Sequence, residues 1–159
     1  MQTKAEKFVH FVTETDLLWH RLADISMKQY NLKGCYAIYL SKLMLSEDGL
    51  TATQLGSLCG RDKADAAREI SILTDKGLIA RKAGGNRYRA KLTLTDKGRE
   101  VADYLIAQAA DFVIMVSSGL PEEDRATFYR VLDIINQNLQ TTCAIQQQKE
   151  CENGNTDSD

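Results

Sequence analysis

The chain contains 159 residues, of which 43% are hydrophobic and 26% are charged, and its formal net charge at pH 7 is −2. This size and composition predict one domain with a real hydrophobic core. No apolar run approaches the roughly 18 residues of a membrane-spanning helix and no signal-peptide pattern is present, so we expect a soluble, cytoplasmic protein.

The residue types that carry chemistry are too few and too scattered to form a catalytic or metal site. The cysteines have no paired spacing, which disfavours a zinc ribbon or a redox Cys-x-x-Cys motif, and we expect reduced thiols. His10 and His20 are the only histidines, and no Gly-rich phosphate loop occurs. We therefore predict a protein that is not an enzyme and that needs no cofactor and no metal ion. The cysteines are Cys35, Cys59, Cys143 and Cys151.

The N-terminal segment, residues about 4–30, is predicted to be an amphipathic helix. Its apolar residues recur at near-helical spacing, and a single proline in the whole chain favours helix throughout. Phe8, Phe11 and Val12 lie at the end where a small domain has little core to offer, so we expect them to be exposed and to contact a partner. A break follows, and a second helix is predicted over residues 35–45.

The segment of residues about 51–95 has the outline of a winged helix-turn-helix, that is, two short helices followed by a β-hairpin. Thr51 and Gln54 form a capping box that begins the first of these helices. Leu55 and Leu58 supply its apolar face.

The second of these helices follows a sharp turn in which Gly60 supplies a positive φ. Asp62 is the predicted N-cap. Ala66, Ile70 and Leu73 then share one face at spacings of four and three, which predicts that this face is buried. The side chains that remain outside are Lys63, Ala64, Asp65, Ala67, Arg68 and Ser71.

The hairpin is predicted to have strands over residues 78–81 and 88–94, joined by a Gly84-Gly85-Asn86 turn. Side chains alternate along the second strand, so one face can pack on the helices while the other carries positive charge. The face that packs consists of Tyr88, Ala90, Leu92 and Leu94. The charged face consists of Arg87, Arg89, Lys91 and Thr93.

Positive charge is concentrated in this region. Between Arg61 and Lys91 there are nine Lys or Arg against four Asp or Glu, a net charge of about +5, while the rest of the chain carries about −7. A cationic helix beside a cationic hairpin is the electrostatic pattern that binding to phosphates requires. A charge run alone would indicate only a solvated surface, but the helix-turn-helix context favours nucleic acid.

Two further helices are predicted after the hairpin. Thr95 caps a helix over residues 96–117, and Gly119 ends it. Pro121 begins the last helix, and three acidic residues follow in its first turn. From Gln146 the sequence is polar and acidic, so residues 146–159 are predicted to be a disordered tail.

The first helix and the last two helices carry apolar stripes that lie outside the segment predicted to read DNA. A two-fold homodimer would bury these stripes, whereas packing within one monomer is the alternative. The residues predicted to form the dimer interface are Phe8, Phe11, Val12, Phe112, Val116, Phe128, Val131, Leu132, Ile135 and Leu139.

Two short motifs resemble the MarR family of bacterial transcriptional regulators. They are Lys76-Gly77-Leu78-Ile79, at the end of the second helix, and Leu94-Thr95-Asp96-Lys97-Gly98, which opens the long helix after the wing. The resemblance covers residues about 5–145, and we treat residues 1–145 as a single domain. It implies a mostly α fold with a small β-hairpin wing and with long N- and C-terminal dimerisation helices, about 4–30 and 96–145. The sequence departs from the family at the wing tip, where Asn86 and Tyr88 stand in place of Asp and Arg.

The resemblance implies a sequence-specific regulator that binds double-stranded DNA as a homodimer on a pseudo-palindromic operator. A ligand-responsive repressor is the implied mode of action. Asp65 is equally explained as a partner of the helix dipole. The predicted DNA contacts are Arg61, Lys63, Ala64, Asp65, Ala67, Arg68, Ser71, Arg87, Arg89 and Lys91.

Family members commonly bind a small apolar or aromatic effector between the dimer helices and the DNA-binding lobe. Trp19, His20, Tyr36 and Tyr39 are the candidates for such a pocket. An aromatic core between the first two helices is the other interpretation of these residues.

Two other functions remain open. A winged helix can serve as a protein-interaction module without contacting DNA. Some relatives sense oxidants through a cysteine in the first helix, but this chain has none before Cys35, for which a buried structural thiol is the alternative to a redox role.

Overall fold

The computed structural model describes residues 2–82 and 90–154, with side chains through residue 150. These residues form two compact units, Met1–Phe112 and Val113–Asp159. The predicted fold class is confirmed, since six α-helices accompany one small antiparallel sheet in the described part of the chain. The elements are α1 Lys4–Met27, a 3₁₀ turn Lys28–Tyr30, α2 Tyr36–Met44, α3 Ala52–Leu58, α4 Lys63–Asp75, β1 Ile79–Arg81, β2 Leu92–Leu94, α5 Asp96–Val116 and α6 Glu122–Gly154.

The helices of the first unit begin where the local sequence predicts. Thr51 and Gln54 form the predicted capping box of α3. The Asp62 carboxylate accepts hydrogen bonds from the backbone N–H groups of Ala64 and Asp65, both at 2.8 Å, and so caps α4. These bonds satisfy donors that the first turn of a helix leaves without an intrahelical partner.

The core of the first unit joins α2, α3, α4, both strands and the first half of α5. The predicted inner face of α4 is confirmed, since Ala66, Ile70 and Leu73 are all buried. Leu58, however, is exposed rather than part of the apolar face of α3, because α3 ends at this residue. The fully buried side chains are Met27, Tyr39, Leu40, Leu55, Leu73, Leu78, Ile79, Leu92 and Val101.

The two strands pair antiparallel, with Ile79 opposite Leu94 and Arg81 opposite Leu92. Leu50 adds a third backbone segment, because its N–H donates to the Leu92 carbonyl at 3.1 Å and its carbonyl accepts from the Leu92 N–H at 2.7 Å. The described part of the second strand begins at Leu92, and the predicted residues 83–89 lie outside the described residues.

The start of α5 is fixed against the end of α4. The Thr95 hydroxyl donates to the Gly77 carbonyl at 2.7 Å and accepts from the Gly98 N–H at 3.0 Å, which confirms Thr95 as the cap of α5. A Cβ on Gly98 would collide with the carbonyl oxygen of Leu78, so only glycine permits this approach. Gly77 has a positive φ, +69°, where α4 has ended.

The predicted dimerisation residues of the first unit lie on α1 and α5. Phe8, Phe11 and Val12 are exposed on α1, as the sequence predicts, whereas Phe112 of α5 is half-buried. No helix in the described residues is both long enough and apolar enough to cross a membrane.

The second unit contains the end of α5 and the whole of α6. Residues 146–154 are helical, so the part of the predicted disordered tail that the structure describes is a continuation of α6. Gln, Lys and Glu dominate the segment and all favour helix, and no Gly or Pro interrupts it before Gly154. The predicted dimerisation residues of this unit are exposed in the single chain, except Ile135, which is half-buried. The exposed ones are Val116, Phe128, Val131, Leu132 and Leu139.

Candidate nucleic-acid interface

The outer face of α4 is the centre of the candidate site. Buried residues at steps of four and three hold the opposite face of the helix on the core, so the positions on the outer face are open to solvent. The predicted contact residues are placed accordingly. Lys63, Ala64, Ala67, Arg68 and Ser71 are exposed, and Asp65 is half-buried beside them.

Arg68 and Asp65 form an ion pair on this face. The distance between Arg68 Nη2 and Asp65 Oδ1 is 3.2 Å, and the side chains are 71% and 44% exposed, respectively. Such an exposed pair contributes little to stability because water and salt screen it. Its consequence is geometric, since Asp65 limits the directions in which the guanidinium points.

A close contact between α3 and α4 places this face. A Cβ built on Gly56 would lie only 2.7 Å from the Cβ of Ala66, so a glycine on α3 and a small residue on α4 allow the helices to approach. The turn between the two helices contains Gly60 at φ +64°, as the sequence predicts. These small residues bring the start of α4 close to α3.

A cavity of about 440 Å³ lies beside α4, between α3 and the base of the hairpin. Arg61, Lys63 and Arg81 are its charged lining residues, and most of the rest of the lining is small. Arg81 was not among the predicted contacts. It lies opposite Leu92 and therefore on the sheet face that packs on the helices, and it lines the cavity where the buried part of that face ends. The alternation of side chains along the strand from Ile79 predicts the sheet face on which Arg81 lies. It does not predict that a cavity lies there.

The base of the hairpin adds further cations. The Lys82 N–H donates to the Lys91 carbonyl at 2.7 Å, so the two backbones stay paired one step beyond β1 and β2. Both side chains are exposed. Arg87 and Arg89, the other predicted contacts of the wing, lie outside the described residues.

Arg61 differs from the other predicted contacts because it has an acidic partner on the inner side of α4. Its Nε lies 3.8 Å from Glu69 Oε2. Lys63, two residues away, is exposed and forms no ion pair with any described residue. The sequence alone does not reveal this difference.

Comparisons with known proteins show which regulators the chain resembles. No protein-family model matches the chain. Over 121 residues, 74% of each chain, it is 29% identical to the HTH-type transcriptional regulator TcaR of Staphylococcus aureus (strain Newman). Its fold is similar to that of transcriptional regulator PA3341, with a TM-score of 0.71, 27% identity and coverage of 84% of this chain and 98% of the other. A MarR transcriptional regulator from Methanosarcina mazei Go1 gives a TM-score of 0.78 at 20% identity, with 89% and 94% covered. The chain is therefore similar in sequence and fold to MarR-family transcriptional regulators.

The four candidate effector residues of this MarR-like chain have two different environments. Trp19 and His20 are exposed on α1, and the His20 Nδ1 lies 3.3 Å from the Asp16 carboxylate. Tyr36 and Tyr39 are buried in the core. None of the four lines the cavity beside α4, nor a second cavity of about 310 Å³ near the start of α5.

The cysteines near the core, Cys35 and Cys59, are poor candidates for a redox centre. Burial is the main cause that raises the pKa of the Cys35 thiol, and burial raises the pKa of Cys59 to about 11. A raised pKa keeps the thiol protonated, whereas the thiolate is the reactive form. Among residues 2–82 and 90–150, no group of three His, Cys, Asp or Glu side chains is placed to hold a metal ion.

Proposed function

We propose that the chain is a sequence-specific transcriptional repressor that binds a pseudo-palindromic DNA operator as a homodimer and responds to a small molecule. The observation that carries this proposal is the outer face of α4, which presents Lys63 and Arg68 beside a cavity bordered by Arg61 and Arg81. An α-helix of this kind fits the major groove of B-DNA.

The contacts divide into two kinds. Lys63, Lys91 and the wing residues Arg87 and Arg89 neutralise phosphates, which makes binding sensitive to salt. Arg68 pairs with the edge of a guanine, and Asp65 accepts from a cytosine amino group. Ala64 and Ala67 contact thymine methyl groups, and Ser71 adds a hydrogen bond. Arg81 joins the phosphate contacts because it lines the same cavity as Lys63.

The homodimer is supported by the exposed apolar residues of α1 and α6. Phe8, Phe11 and Val12 on one helix and Phe128 and Leu132 on the other are exposed in the single chain. A second copy would remove both surfaces from water. Sedimentation at micromolar concentration is expected to give a dimer, and a monomer would contradict this part of the proposal.

The small-molecule response rests on Trp19, His20, Tyr36 and Tyr39. The regulator requires two dimer shapes with different affinities for DNA, and an apolar or aromatic effector that prefers one of them. Titration of aromatic acids against the DNA complex tests this role. If none changes the affinity for DNA, the proposed pocket has no support.

The central test uses duplexes that the purified protein retains from a random-sequence pool. Arg68→Ala is expected to weaken binding to a retained duplex by about 1–3 kcal/mol and to relax specificity at one base pair. Arg21→Ala, which removes the same charge from the exposed surface of α1, is the control and should leave the affinity nearly unchanged. If the wild type retains no duplex even at low salt, the chain is better explained as a protein-interaction module.

A further inference from the structure

A partly buried polar group lies under α4. The Glu69 side chain is only 18% exposed, and its Oε2 is fully buried without a hydrogen bond to any described group. The hydroxyl of Tyr39, from α2, is also buried and forms no hydrogen bond to any described residue. Burial is the main cause that raises the pKa of Tyr39, and the Glu69 carboxylate is a further cause. Glu69 and Tyr39 are thus two buried polar groups that lack a hydrogen bond within the described part of the chain.

Arg61 brings the α3–α4 turn to the same carboxylate. Its guanidinium Nε lies 3.8 Å from Glu69 Oε2, and its backbone N–H donates to the Gly56 carbonyl of α3 at 2.9 Å. The residue is thus fixed to α3 by its backbone and to α4 by its side chain. A buried carboxylate oxygen is costly unless a cation compensates it, so leaving Glu69 for a DNA phosphate would be unfavourable for Arg61.

We infer that Arg61 is a positioning residue, held by Glu69 so that the α3–α4 turn sets the angle of α4, and that it is not a phosphate contact. This inference rests on the proposed function and revises one of its residues. Lys63 provides the comparison, since it lies on the same cavity and has no acidic partner among the described residues.

Substitutions that remove the charges singly and together test the inference. Arg61→Gln leaves Glu69 uncompensated and is expected to weaken binding to a selected duplex about tenfold. Adding Glu69→Gln to Arg61→Gln removes the second charge and places an amide side chain at both positions. The double variant is expected to recover to within about threefold of the wild type, because coupled residues are not additive.

The salt dependence of binding separates positioning from phosphate contact. The slope of log affinity against log salt should be the same in the double variant and the wild type, whereas Lys63→Ala should reduce the magnitude of this negative slope by about one. As a matched control, Lys63→Ala and Glu69→Gln should be additive to within about twofold, since these residues do not touch.

The outcomes distinguish the two proposals. A double variant that stays as weak as Arg61→Gln, with a slope smaller in magnitude by about one, shows that Arg61 contacts a phosphate and overturns the positioning role alone. A wild type that retains no duplex overturns the proposed function and this role with it.

Thermal unfolding tests whether a variant loses DNA binding only because it is less stably folded. Arg61→Gln should lower the melting temperature and Glu69→Gln should restore it, and a double variant less stable than both single ones contradicts the pairing.

Discussion

The two units of the chain use apolar side chains in opposite ways. In Met1–Phe112 apolar residues at helical spacing close a core, and Ala66, Ile70 and Leu73 of α4 are all buried. In α6 the leucines at the same kind of spacing stay open, and Leu132 is 45% exposed. Periodicity therefore shows which face of a helix is apolar, but not whether its own chain or another molecule covers that face.

The largest effect is expected in the closed core. Leu73→Ala should lower the free energy of unfolding by about 2–5 kcal/mol, since it removes a fully buried side chain and leaves a cavity. Leu58→Ala is the matched control because Leu58 is 51% exposed, and it should cost less than about 0.5 kcal/mol. Chemical denaturation measures both. Equal losses would show that the first unit is not organised around this core.

The next effect concerns the contact between α3 and α4. Gly56→Ala should destabilise the first unit by about 1–3 kcal/mol, since the new methyl group would overlap Ala66. Adding Ala66→Gly to the same chain removes the overlap, and the two changes in helix propensity nearly cancel. The double variant should therefore return close to wild-type stability. If the double variant is less stable than Gly56→Ala alone, another contact sets the spacing of the helices.

A third variant tests the open surface of α6. Leu132→Asp should raise the dissociation constant of the dimer at least about tenfold, because a charge would enter the interface. The secondary structure of the variant should be unchanged, since the side chain touches little of its own chain. Gln140→Asp is the control on the same helix. If sedimentation finds equal dimer fractions for both variants, α6 does not form the interface.

Local chemistry explains which features the sequence predicts. The caps at Thr51, Asp62 and Thr95 depend on residues three positions apart or fewer, so the sequence contains all of the information. The inner face of α4 follows from helical periodicity in the same way.

The features that the sequence does not predict depend on packing between distant segments. Arg81 reaches the cavity because β1 pairs with β2 in one register, which its own neighbours do not determine. The partnership of Arg61 with Glu69 depends on the turn between α3 and α4, and the position of Tyr39 depends on α2. The polar, acidic composition of residues 146–154 favours disorder, whereas their helix propensity favours the continuation of α6 that the structure shows.

The smallest effect compares one cysteine from each unit. Cys59 is buried in the first unit and Cys143 is exposed in the second. Because burial raises the pKa of Cys59 to about 11, from an ordinary value of 9.0, its thiolate fraction at pH 8 is about a hundredfold lower than that of an ordinary thiol. Alkylation at pH 8, followed by peptide mass spectrometry, should therefore modify Cys143 first.

The same pKa has a consequence for stability. A folded-state pKa above the unfolded value favours the protonated folded form, so this contribution is fully present below pH 9.0 and is lost as the pH rises through about 11. Cys59→Ser should reduce the loss of stability over that interval without changing alkylation of Cys143. If Cys59 is instead alkylated as fast as Cys143 in the folded protein at pH 8, its thiol is reactive, and a redox response becomes the better explanation of regulation.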